Sequence, residues 1–506
     1  MMRDLVDGPA KTVWVRLGLP PDDIENLWLT EAPDPSVNSS FKLGTAAQTA
    51  IGLSALAAAH FYFLRTGQEE EVHVDARHAI LEFNSEKYYT IDGKVSDGKM
   101  FDELSDIFRT KDGYVRLHTN FPHHKQGLLD ILQCEPTKAA VAAALAEWSA
   151  EEFESVAFQR HLCAAALRSF EAMDRTPHGI YQTNINPVSI TKIGEAPKRA
   201  LGGDPVGAIQ YALEGVRVLA GPVCGRTLAA HGADVLLVTS PHLPSLPFLD
   251  VDTSRGKRTT QLDLNSPADA ETLRALVRDA DVFLQAYRPH GLAARGFGPG
   301  DCAALRPGIV HASLTGFSPG GPWEDIKSFD SLVQTLGGFN VQEAEAYAEY
   351  VRETSGEEEA AKLPPYRTLP MQALDHAAGY LLAFGIAAAL CKTVTEGGSW
   401  RVHVSLSATL LWIRRFGNLH PLTAFGEGRP LPPSCVPLDP EVAAVSTTIE
   451  RDPGDFGSGG QQLEMEEGGQ TMSAIRHAAS FTRLGIREGK APMRLDAHRP
   501  EWVPRS

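Results

Sequence analysis

The sequence predicts an α/β fold built on a parallel, doubly wound sheet, with part of the scaffold present twice. Residues 213–315 alternate between short apolar strands and helices of about 8 to 12 residues, which is typical of a parallel sheet covered by helices. Residues 41–75 and 371–405 resemble each other, since each gives a small-residue helix, a threonine with a glycine nearby, and a strand containing Val-His-Val. This repeat predicts an internal duplication of one helix-strand unit.

The alternating region yields its elements in a definite order. We predict strands at Val216–Leu219, Val235–Val238, Val282–Leu284 and Ile309–Ser313, helices at Cys224–His231 and Ala268–Arg278, and an edge strand at Gln261–Leu264. Parallel sheets of this kind bind their ligands beyond the carboxyl ends of the strands. We therefore expect the functional site at that edge.

The first part of the chain is predicted to form one segment, residues 1–200, which holds the earlier copy of the repeat. A strand-like stretch follows this copy and contains a turn at Asp112-Gly113, and Ala-rich helices are expected around 138–172. The alternating region belongs to a second segment, residues 201–340.

Two further segments complete the predicted organisation. Residues 341–450 contain an acidic stretch around Glu357–Glu359, which is predicted to be a solvated helix and linker, and then the later copy of the repeat. Residues 451–506 form the last segment. Its first part, 451–470, is rich in glycine and is predicted to be a flexible insertion before the tail.

Composition and charge exclude several classes of protein. The 506 residues are 43% hydrophobic and 22% charged, as expected for a globular protein with two or three cores. A net charge of −16 argues against non-specific nucleic-acid binding. The six cysteines are scattered and form no C-x-x-C pair, which indicates reduced thiols in an intracellular protein.

Targeting and membrane signals point the same way. The N-terminal sequence MMRDLVDGPAKTVWVRLGLP has no apolar core of a secretory signal, and the C-terminal VPRS is not a peroxisomal tripeptide. The longest apolar run, Ala377–Cys391, is too short to cross a membrane. We expect a cytoplasmic protein without a membrane partner.

Two loops are candidates for phosphate contacts, although each also has a purely structural explanation. The turn after the first strand, AGPVCG, lacks the G-x-G-x-x-G spacing, but Gly221 permits close approach to a ligand at a helix N-terminus. The loop Arg255-Gly256-Lys257-Arg258 places three cations together in an acidic chain. A tight turn and an exposed cluster without a ligand explain these segments equally well.

A serine hydrolase elbow is rejected. The motif GFSPG at 316–320 matches G-x-S-x-G, but Pro319 lacks the N–H that the oxyanion hole requires.

A metal site is not expected. The histidines of HTNFPHH, which are His118, His123 and His124, have no Cys, Asp or Glu at familiar ligand spacing, so a polar loop is the better interpretation.

The repeat singles out Asp375 as the candidate catalytic residue. When the two copies are aligned through Thr395 and Thr66, the later copy has Asp375 where the earlier copy has Ala46. An aspartate before a small-residue helix is most simply an N-cap. The alternative is a carboxylate that forms a covalent intermediate at a helix N-terminus, beside close-packed glycines.

At this point the sequence resembles a known family. The segments LEGVRVLAGPVCGRTLAAHGADVLLV, TSRGKRTTQLDL, ADVFLQAYRP, RGFGP, RPGIVHASLTGF, SFDSLVQTLGGF, ALDHAAGYLLAFGIAAAL and EGGSWRVHVSL are similar to the CaiB/BaiF family, the family III CoA-transferases. They cover about 213–420 in the family's order. The N-terminal half resembles the later part of a family member, so residues 1–200 are interpreted as a degenerate half without the catalytic aspartate.

The resemblance implies a fold and a mechanism. The fold would be a Rossmann-like CoA-binding domain at 201–340 and a smaller α+β domain, in the interlocked architecture of the family. In such enzymes one aspartate attacks an acyl-CoA thioester and then carries CoA as an aspartyl-CoA thioester, until an incoming acid takes it. Asp375 matches that aspartate, and Ala46 cannot perform this chemistry.

The resemblance also implies the ligands. CoA thioesters and carboxylic acids would be substrates, with no bound cofactor and no metal. Family positions that contact CoA correspond here to Leu219, Ala220, Leu262, Asn265, Tyr287, Arg288, Arg295 and Lys327. Because the family forms interlocked dimers and this chain contains a duplication, either a homodimer or a pseudo-dimeric monomer is expected.

Two departures from the family keep two alternatives open. Family members have about six further residues, resembling DLTRVI, where Leu219 here runs directly into Ala220. The loss of that active-site loop favours a non-catalytic CoA-binding protein as the alternative. The racemase branch has a histidine where this chain has Phe329, so a 2-methylacyl-CoA racemase, which needs a second acid-base group, is disfavoured.

Overall fold

The computed structural model describes residues 6–96, 98–201, 209–288, 290–450, 471–490 and 494–504. The predicted flexible insertion at 451–470 lies outside the described residues.

The described helices alternate with strands along much of the chain. The helices are α1 (Lys11–Arg16), α2 (Leu43–Thr66), α3 (Ala76–Glu82), α4 (Pro122–Leu132), α5 (Lys138–Leu145), α6 (Ala150–Gln159), α7 (Phe170–Asp174), α8 (Pro177–Gln182), α9 (Pro222–Ala230), α10 (Pro247–Thr253), α11 (Pro267–Asp279), α12 (Pro299–Leu305), α13 (Asp330–Leu336), α14 (Phe339–Ser355), α15 (Glu357–Ala360), α16 (Ala373–Thr395), α17 (Leu406–Arg414) and α18 (Pro440–Ala444). Short 3-10 segments lie at Pro21–Asn26, Ser85–Lys87 and Ala293–Arg295, and π-helical turns lie at Val6–Ala10 and Leu422–Glu427.

The described strands form several small sheets around one large sheet. They are β1 (Leu27–Leu29), β2 (Val72–Val74), β3 (Thr90–Ile91), β4 (Lys94–Val95), β5 (Ile107–Arg109), β6 (Tyr114–Leu117), β7 (Ala164–Ala166), β8 (Val188–Gly194), β9 (Arg217–Ala220), β10 (Asp234–Thr239), β11 (Arg258–Gln261), β12 (Val282–Gln285), β13 (Val310–Thr315), β14 (Ser399–Ser405), β15 (Ser446–Glu450), β16 (Thr471–Ile475) and β17 (Ala479–Phe481).

The large sheet confirms the predicted α/β class. Its order in the described part of the chain is β11-β10-β9-β12-β13-β14-β8, and its pairs are parallel except for β8, which pairs antiparallel with β14. The chain runs outward from β9 to β11 and then crosses to β12 on the other side of β9. Such a reversal opens a crevice at the carboxyl ends of the strands, where ligands of these sheets bind.

Local patterns predicted most elements of this sheet to within two residues, with one clear exception. The edge strand was expected at Gln261–Leu264 but lies at Arg258–Gln261, although its edge position is confirmed. Arg258 is held in the strand by two-pronged hydrogen bonds to Asp234, and the apolar Leu262 is buried just after the strand ends.

The Ala-rich region near 138–172 is also not wholly helical. Residues 164–166 form β7, which pairs with β6 and is fully buried. Alanine tolerates a strand where its small side chain fits a tightly packed interior, so tertiary packing overrides its helix preference. β5 to β7, with α4 to α6, enclose a hydrophobic cluster of their own that includes Phe108, Val115, Leu128 and Phe153. The division of the chain into four segments stays a prediction.

The two copies of the repeat are both helix-strand units, but they enter different sheets. α2 leads to β2 in a small sheet with β1 and β17, and α16 leads to β14 in the large sheet. The two helices share one hydrophobic core, in which Cys391 of α16 lies against the Ala57 carbonyl of α2. A Cβ at Gly385 of α16 would lie 2.6 Å from Val402 Cγ1, so small residues allow α16 to approach the sheet closely.

Length and apolarity alone would allow α2 and α16 to cross a membrane. In both helices 89% of the most apolar window is buried inside the protein. These are the properties of core helices, and the apolar run Ala377–Cys391 lies inside the 23-residue helix α16.

Candidate active site

Asp375 lies in the first turn of α16, at the end of the large sheet where the carboxyl ends of the parallel strands lie. The N-cap of α16 is Gln372, which makes no side-chain cap hydrogen bond. The interpretation of Asp375 as the cap is therefore wrong. Its side chain is exposed, although the helix behind it is almost completely buried, so the carboxylate lies in a recess that solvent reaches.

Asp330, the first residue of α13, caps the N-terminus of α16, although it lies about 45 residues earlier in the chain. Its Oδ2 accepts hydrogen bonds from the backbone N–H groups of Leu374 at 2.7 Å and of Asp375 at 2.9 Å. Gln334 donates to the other oxygen of the same carboxylate. Because these amides already have an acceptor, the Asp375 side chain is not needed to satisfy the helix end.

The surroundings of Asp375 destabilise its negative charge. The protein packed around Asp375 limits the hydration of its carboxylate. This desolvation, followed by the repulsion from the nearby carboxylates of Asp330 and Glu86, raises the pKa of Asp375 well above its usual value. Burial likewise raises the pKa of Asp330 to about 6. A carboxylate that is poorly solvated and repelled by its neighbours gains most from a reaction that neutralises it.

The N-terminal half of the chain contributes directly to this site. Glu86, in the 3-10 segment Ser85–Lys87, lies 3.0 Å from Nε2 of His376, the residue after Asp375. Phe83 stacks on His376 and on Tyr380, each at 5.6 Å between ring centroids. One turn earlier, Glu82 pairs with His477 at 3.0 Å. The half that lacks the aspartate therefore forms one wall of the recess that holds it.

A buried ion network fixes that wall to the large sheet. Asp252 of α10 binds Arg226 of α9 and accepts a hydrogen bond of 2.7 Å from Ser85. Arg255 binds the same carboxylate at 3.0 Å. With both partners present the buried charges are compensated, whereas the loss of either would leave an unpaired buried charge.

The cations of the loop 255–258 are used inside the protein. Lys257 is buried and donates to the backbone carbonyls of Gly221 and Pro222, both at 2.7 Å, and Arg258 binds Asp234. Burial lowers the pKa of Lys257 to about 7, and Arg226 adds to this effect. This loop is neither exposed nor free to hold phosphate, so both interpretations of it from sequence were wrong.

The turn between β9 and α9 is a single residue, Gly221. The chain therefore passes directly from strand to helix. The N-terminus of α9 packs against α16 one turn beyond Asp375, because a Cβ at Gly379 would lie 2.7 Å from Val223 Cβ. These contacts support the interpretation of Gly221 as a tight structural turn over that of a phosphate-binding turn.

The residues predicted to contact CoA lie around the carboxyl ends of β9, β11 and β12. Leu219 and Ala220 are buried at the end of β9. Leu262 is buried after β11, and exposed Arg295 donates to the Leu264 carbonyl at 2.8 Å and to Asn265 Oδ1 at 3.0 Å.

The remaining predicted contacts lie on two loops. Tyr287 and Arg288 are exposed after β12. Lys327 is half-buried, and burial together with the charge of Arg288 lowers its pKa. The fold thus brings these residues to one edge of the sheet, while their roles stay predictions.

Phe329 lies in an aromatic cluster with His118, which follows β6, and with the buried His124 of α4, so the expected polar loop gives way to a helix at Pro122. The Phe329 ring stacks on His118 at 3.9 Å and on Phe121 at 5.7 Å between centroids. Burial lowers the pKa of His118 to about 3, and Arg116 adds to this effect. His118 is therefore a neutral packing residue at ordinary pH.

Three potential metal ligands come together elsewhere in the described part of the chain. Ligand atoms of His290, Glu324 and Asp325 lie within 4.8 Å of one another on a largely exposed surface. Exposed acidic groups commonly occur without an ion, and the expected absence of a metal stays a prediction.

Two residues of the site, Asp330 and Glu86, were not predicted from the sequence, because they act through contacts with distant parts of the chain. Asp330 appeared within the motif SFDSL, but its capping role depends on a contact 45 residues away along the chain. Glu86 meets His376 across 290 residues, and no local pattern marks it.

Comparison with protein families supports the resemblance seen in the sequence. Residues 213–432 match the model of CoA-transferase family III. A formyl-CoA:oxalate CoA-transferase of Rhodopseudomonas palustris (strain BisA53) is 31% identical over 247 residues, which cover 43% of this chain and 54% of that protein. A succinate–glutarate CoA-transferase of Agrobacterium fabrum is 35% identical over 145 residues, covering 25% of this chain and 36% of the relative.

Solved structures give a similar but more distant match. Rv3272 from Mycobacterium tuberculosis is 26% identical, with 41% of this chain and 57% of that chain covered and a TM-score of 0.33. A CAIB/BAIF family protein from Brucella suis is 23% identical, with coverages of 48% and 64% and a TM-score of 0.34. This chain spans about half the length of the first curated relative. The resemblance to family III is thus confirmed for the part of the chain from 213 to 432.

Proposed function

We propose that this protein transfers CoA between an acyl-CoA and a carboxylic acid through an aspartyl-CoA thioester on Asp375. The observation that carries the proposal is the state of this carboxylate. It lies exposed in a recess at the end of a parallel sheet, is not used as a helix cap, and has a raised pKa. The family III match over 213–432 includes this position.

The first half of the reaction loads CoA onto the protein. The ionised Asp375 oxygen attacks the thioester carbonyl of the acyl-CoA, which gives a mixed anhydride and releases CoA as a thiolate. The thiolate then attacks the aspartyl carbonyl, so the C–O bond to the acid breaks and the first acid leaves as a carboxylate. It carries one oxygen that came from Asp375. Splitting the transfer in this way replaces one difficult step by exchanges between activated carboxyl groups.

The second half reverses these steps with a new acid. The incoming carboxylate attacks the aspartyl-CoA carbonyl and releases the thiolate, which attacks the carbonyl of the new acyl group. Asp375 returns as a carboxylate with one oxygen from the incoming acid. The repulsion from Asp330 and Glu86 is relieved each time Asp375 becomes an anhydride or a thioester.

Trapping of the intermediate tests this proposal. The protein is incubated with acyl-CoAs, beginning with formyl-CoA and succinyl-CoA because relatives are named for these acids or their partners, and with hydroxylamine. Peptide mass mapping is expected to find a hydroxamate on Asp375 in the wild type and none in Asp375→Asn. An unmodified Asp375 across a broad panel would contradict the mechanism.

A non-catalytic CoA-binding protein is the second candidate, and one observation favours it. The turn from β9 to α9 is Gly221 alone, which leaves no room at this place for the DLTRVI-like loop that the resemblance leads us to expect beside the active site. CoA binding with no hydroxamate, followed by gain of the hydroxamate after insertion of a DLTRVI-like loop, would establish this function.

A racemase is disfavoured by the packing of Phe329. Phe329 stands where the resemblance leads us to expect a histidine in a racemase, and its ring stacks on a neutral His118. Inversion at the α-carbon needs one group to remove the proton and a second group to return it on the other face.

We further propose that one chain acts as a pseudo-dimer in the cytoplasm. Support comes from the shared core of α2 and α16 and from the contact of Glu86 with His376. Sedimentation is expected to give one species of about 54.7 kDa. A species of twice that mass would favour the homodimer instead.

A further inference from the structure

The large sheet has one apolar face and one face with an unusual row of polar side chains. Val402 of β14 contacts α16, so its neighbours Arg401 and His403 point to the opposite face. In register with them, His311 and Ser313 of β13 lie on that same face. The polar row is therefore separated from Asp375 by the thickness of the sheet.

A cavity opens over this polar row. It has a volume of about 170 Å³, and its lining includes Gln285, Arg288, His311, Ser313 and Arg401. Phe297 and Phe283 lie in the hydrophobic cluster of the same face, beneath α11 and α12. Parallel sheets are normally covered on both faces by apolar side chains, so a polar cavity at this place requires an explanation.

Arg401 is the strongest sign of a ligand. Its buried Nε has no hydrogen-bond partner, and no ion pair of its guanidinium is found in the described part of the chain. Glu324 also lines the cavity, but its carboxylate accepts the backbone N–H of Gly320 at 2.6 Å. A half-buried guanidinium whose Nε has no partner can gain charge-assisted hydrogen bonds from an anion in the cavity.

His311 and Ser313 supply polar groups for the same occupant. His311 is 3% exposed, and its Nδ1 has no hydrogen-bond partner. Ser313 is also 3% exposed. A buried polar atom that faces a cavity without a partner marks a place where a ligand or an ion binds.

We propose that this cavity binds a small oxyanion, a carboxylate or a phosphate, which pairs with Arg401 and makes further hydrogen bonds with Ser313 and His311. The planar guanidinium presents two parallel N–H donors, which match the two oxygens of either group. The site lies on the face of the sheet opposite Asp375 and does not depend on CoA transfer. Arg288 at its edge is also a predicted CoA contact, so the two sites are neighbours.

Calorimetric titration of the full chain tests the proposal with two probes, inorganic phosphate and succinate. One anion per chain is expected to bind, and the tighter of the two probes identifies the chemical class. Arg401→Gln is expected to weaken binding by about tenfold or more, because the charged hydrogen bonds are lost. Arg278→Gln is the matched control, since it removes an exposed arginine of α11 that pairs with Glu271, and it should bind as the wild type does.

A second variant protects the test against a folding defect. Ser313→Ala removes one hydroxyl and is expected to weaken binding by about fivefold while the thermal transition stays that of the wild type. The absence of binding of either probe to the wild type would overturn the proposal. Equal binding by Arg401→Gln and the wild type would also overturn it.

Competition with CoA distinguishes this site from the proposed CoA site. Anion binding that persists at saturating CoA is the expected result. Displacement of the anion by CoA would show that the cavity belongs to the CoA site, and it would overturn a separate anion site without affecting the transferase proposal. Failure of the hydroxylamine test would likewise leave the anion result intact.

Discussion

The helices α2 and α16 show how one scaffold supports two different ends. They have 24 and 23 residues, and both are buried along almost their whole length. In each helix an aspartate outside the helix accepts hydrogen bonds from two backbone N–H groups of the first turn. Asp34 accepts from Gly44 and Thr45, and Asp330 accepts from Leu374 and Asp375.

The two helices differ in the side chain of the second capped residue. In α2 this residue is Thr45, whose hydroxyl donates to Asp34 at 2.6 Å, while the sequence alignment places the next residue, the buried Ala46, opposite Asp375. In α16 the position is Asp375, which is exposed in a recess. Capping by a remote residue thus separates the stability of the helix end from its chemistry, and only α16 has a group there that can react.

Loss of the carboxylate should give the largest effect in the molecule. Asp375→Asn is expected to lower CoA transfer by more than about a thousandfold, because the neutral amide cannot form the anhydride. Its unfolding free energy should stay the same or increase, since the side chain caps nothing and the amide removes the repulsion from Asp330 and Glu86. Steady-state kinetics and urea unfolding check both parts. Activity close to that of the wild type would remove the basis of the mechanism.

The reciprocal change should damage the fold and give no activity. Ala46→Asp places a carboxylate at a position that is 0% exposed, so we expect a loss of about 3 kcal/mol or more in urea unfolding. The same exchange made in reverse at the exposed site, Asp375→Ala, is the matched control and should not lower the free energy of unfolding, since it removes a repelled charge. Equal stability of both variants would show that the two helix ends are alike.

The two capping aspartates, Asp34 and Asp330, should contribute equally to the free energy of unfolding, but only Asp330 should affect CoA transfer. Asp34→Ala and Asp330→Ala each leave buried amides without acceptors, so each is expected to cost about 2 to 3 kcal/mol. Only Asp330→Ala should change the pH dependence of CoA transfer, because only Asp330 lies beside a reacting carboxylate. If Asp34→Ala shifts that profile equally, the comparison between the helices does not hold.

The acid limb of the pH profile should respond to Glu86. Asp375 reacts as the anion, so activity is expected to rise with pH through its raised pKa. Glu86→Gln removes a negative charge, which lowers the pKa of Asp375 and moves the acid limb to lower pH. Glu82→Gln is the control, since Glu82 pairs with His477 on the same wall. A shift toward higher pH in Glu86→Gln would contradict the proposed repulsion.

Two glycines, one in each helix, should differ in how well they tolerate replacement by alanine. A Cβ at Gly379 in α16 would lie 2.7 Å from Val223 Cβ, whereas one at Gly52 in α2 would lie 2.9 Å from the flexible end of Leu27. Gly379→Ala is expected to cost about 1 to 3 kcal/mol, and Gly52→Ala about 0 to 1, since the helix gain of alanine offsets a mild contact. Thermal unfolding of both variants measures the difference.

Much of this architecture could be predicted because it depends on residues that are close together in the sequence. The strands of the large sheet follow from short apolar runs between turns, and Asp375 follows from the repeat that lacks it once. The edge strand was placed about three residues too late, since the apolar Leu262 suggested a strand that polar pairing at Arg258 had already completed.

The other half of the site could not be predicted, because it depends on contacts between distant parts of the chain. Asp330 caps a helix 45 residues away, and Glu86 meets His376 across 290 residues. The loop 255–258 has the composition of an anion site, yet the fold buries its charges against carboxylates and carbonyls. Arg401, in contrast, lies in an ordinary strand, and no carboxylate among the described residues pairs with it.

Transfer of an oxygen isotope to Asp375 is the most direct test of the covalent mechanism. The protein is taken through a single turnover with an acceptor acid labelled with ¹⁸O in both carboxylate oxygens, and the peptide containing Asp375 is then analysed by mass spectrometry. The mechanism returns Asp375 with one oxygen from the acceptor, so we predict a gain of about 2 Da on this residue. Formation of the new acyl-CoA with no label on Asp375 would contradict its role as the nucleophile.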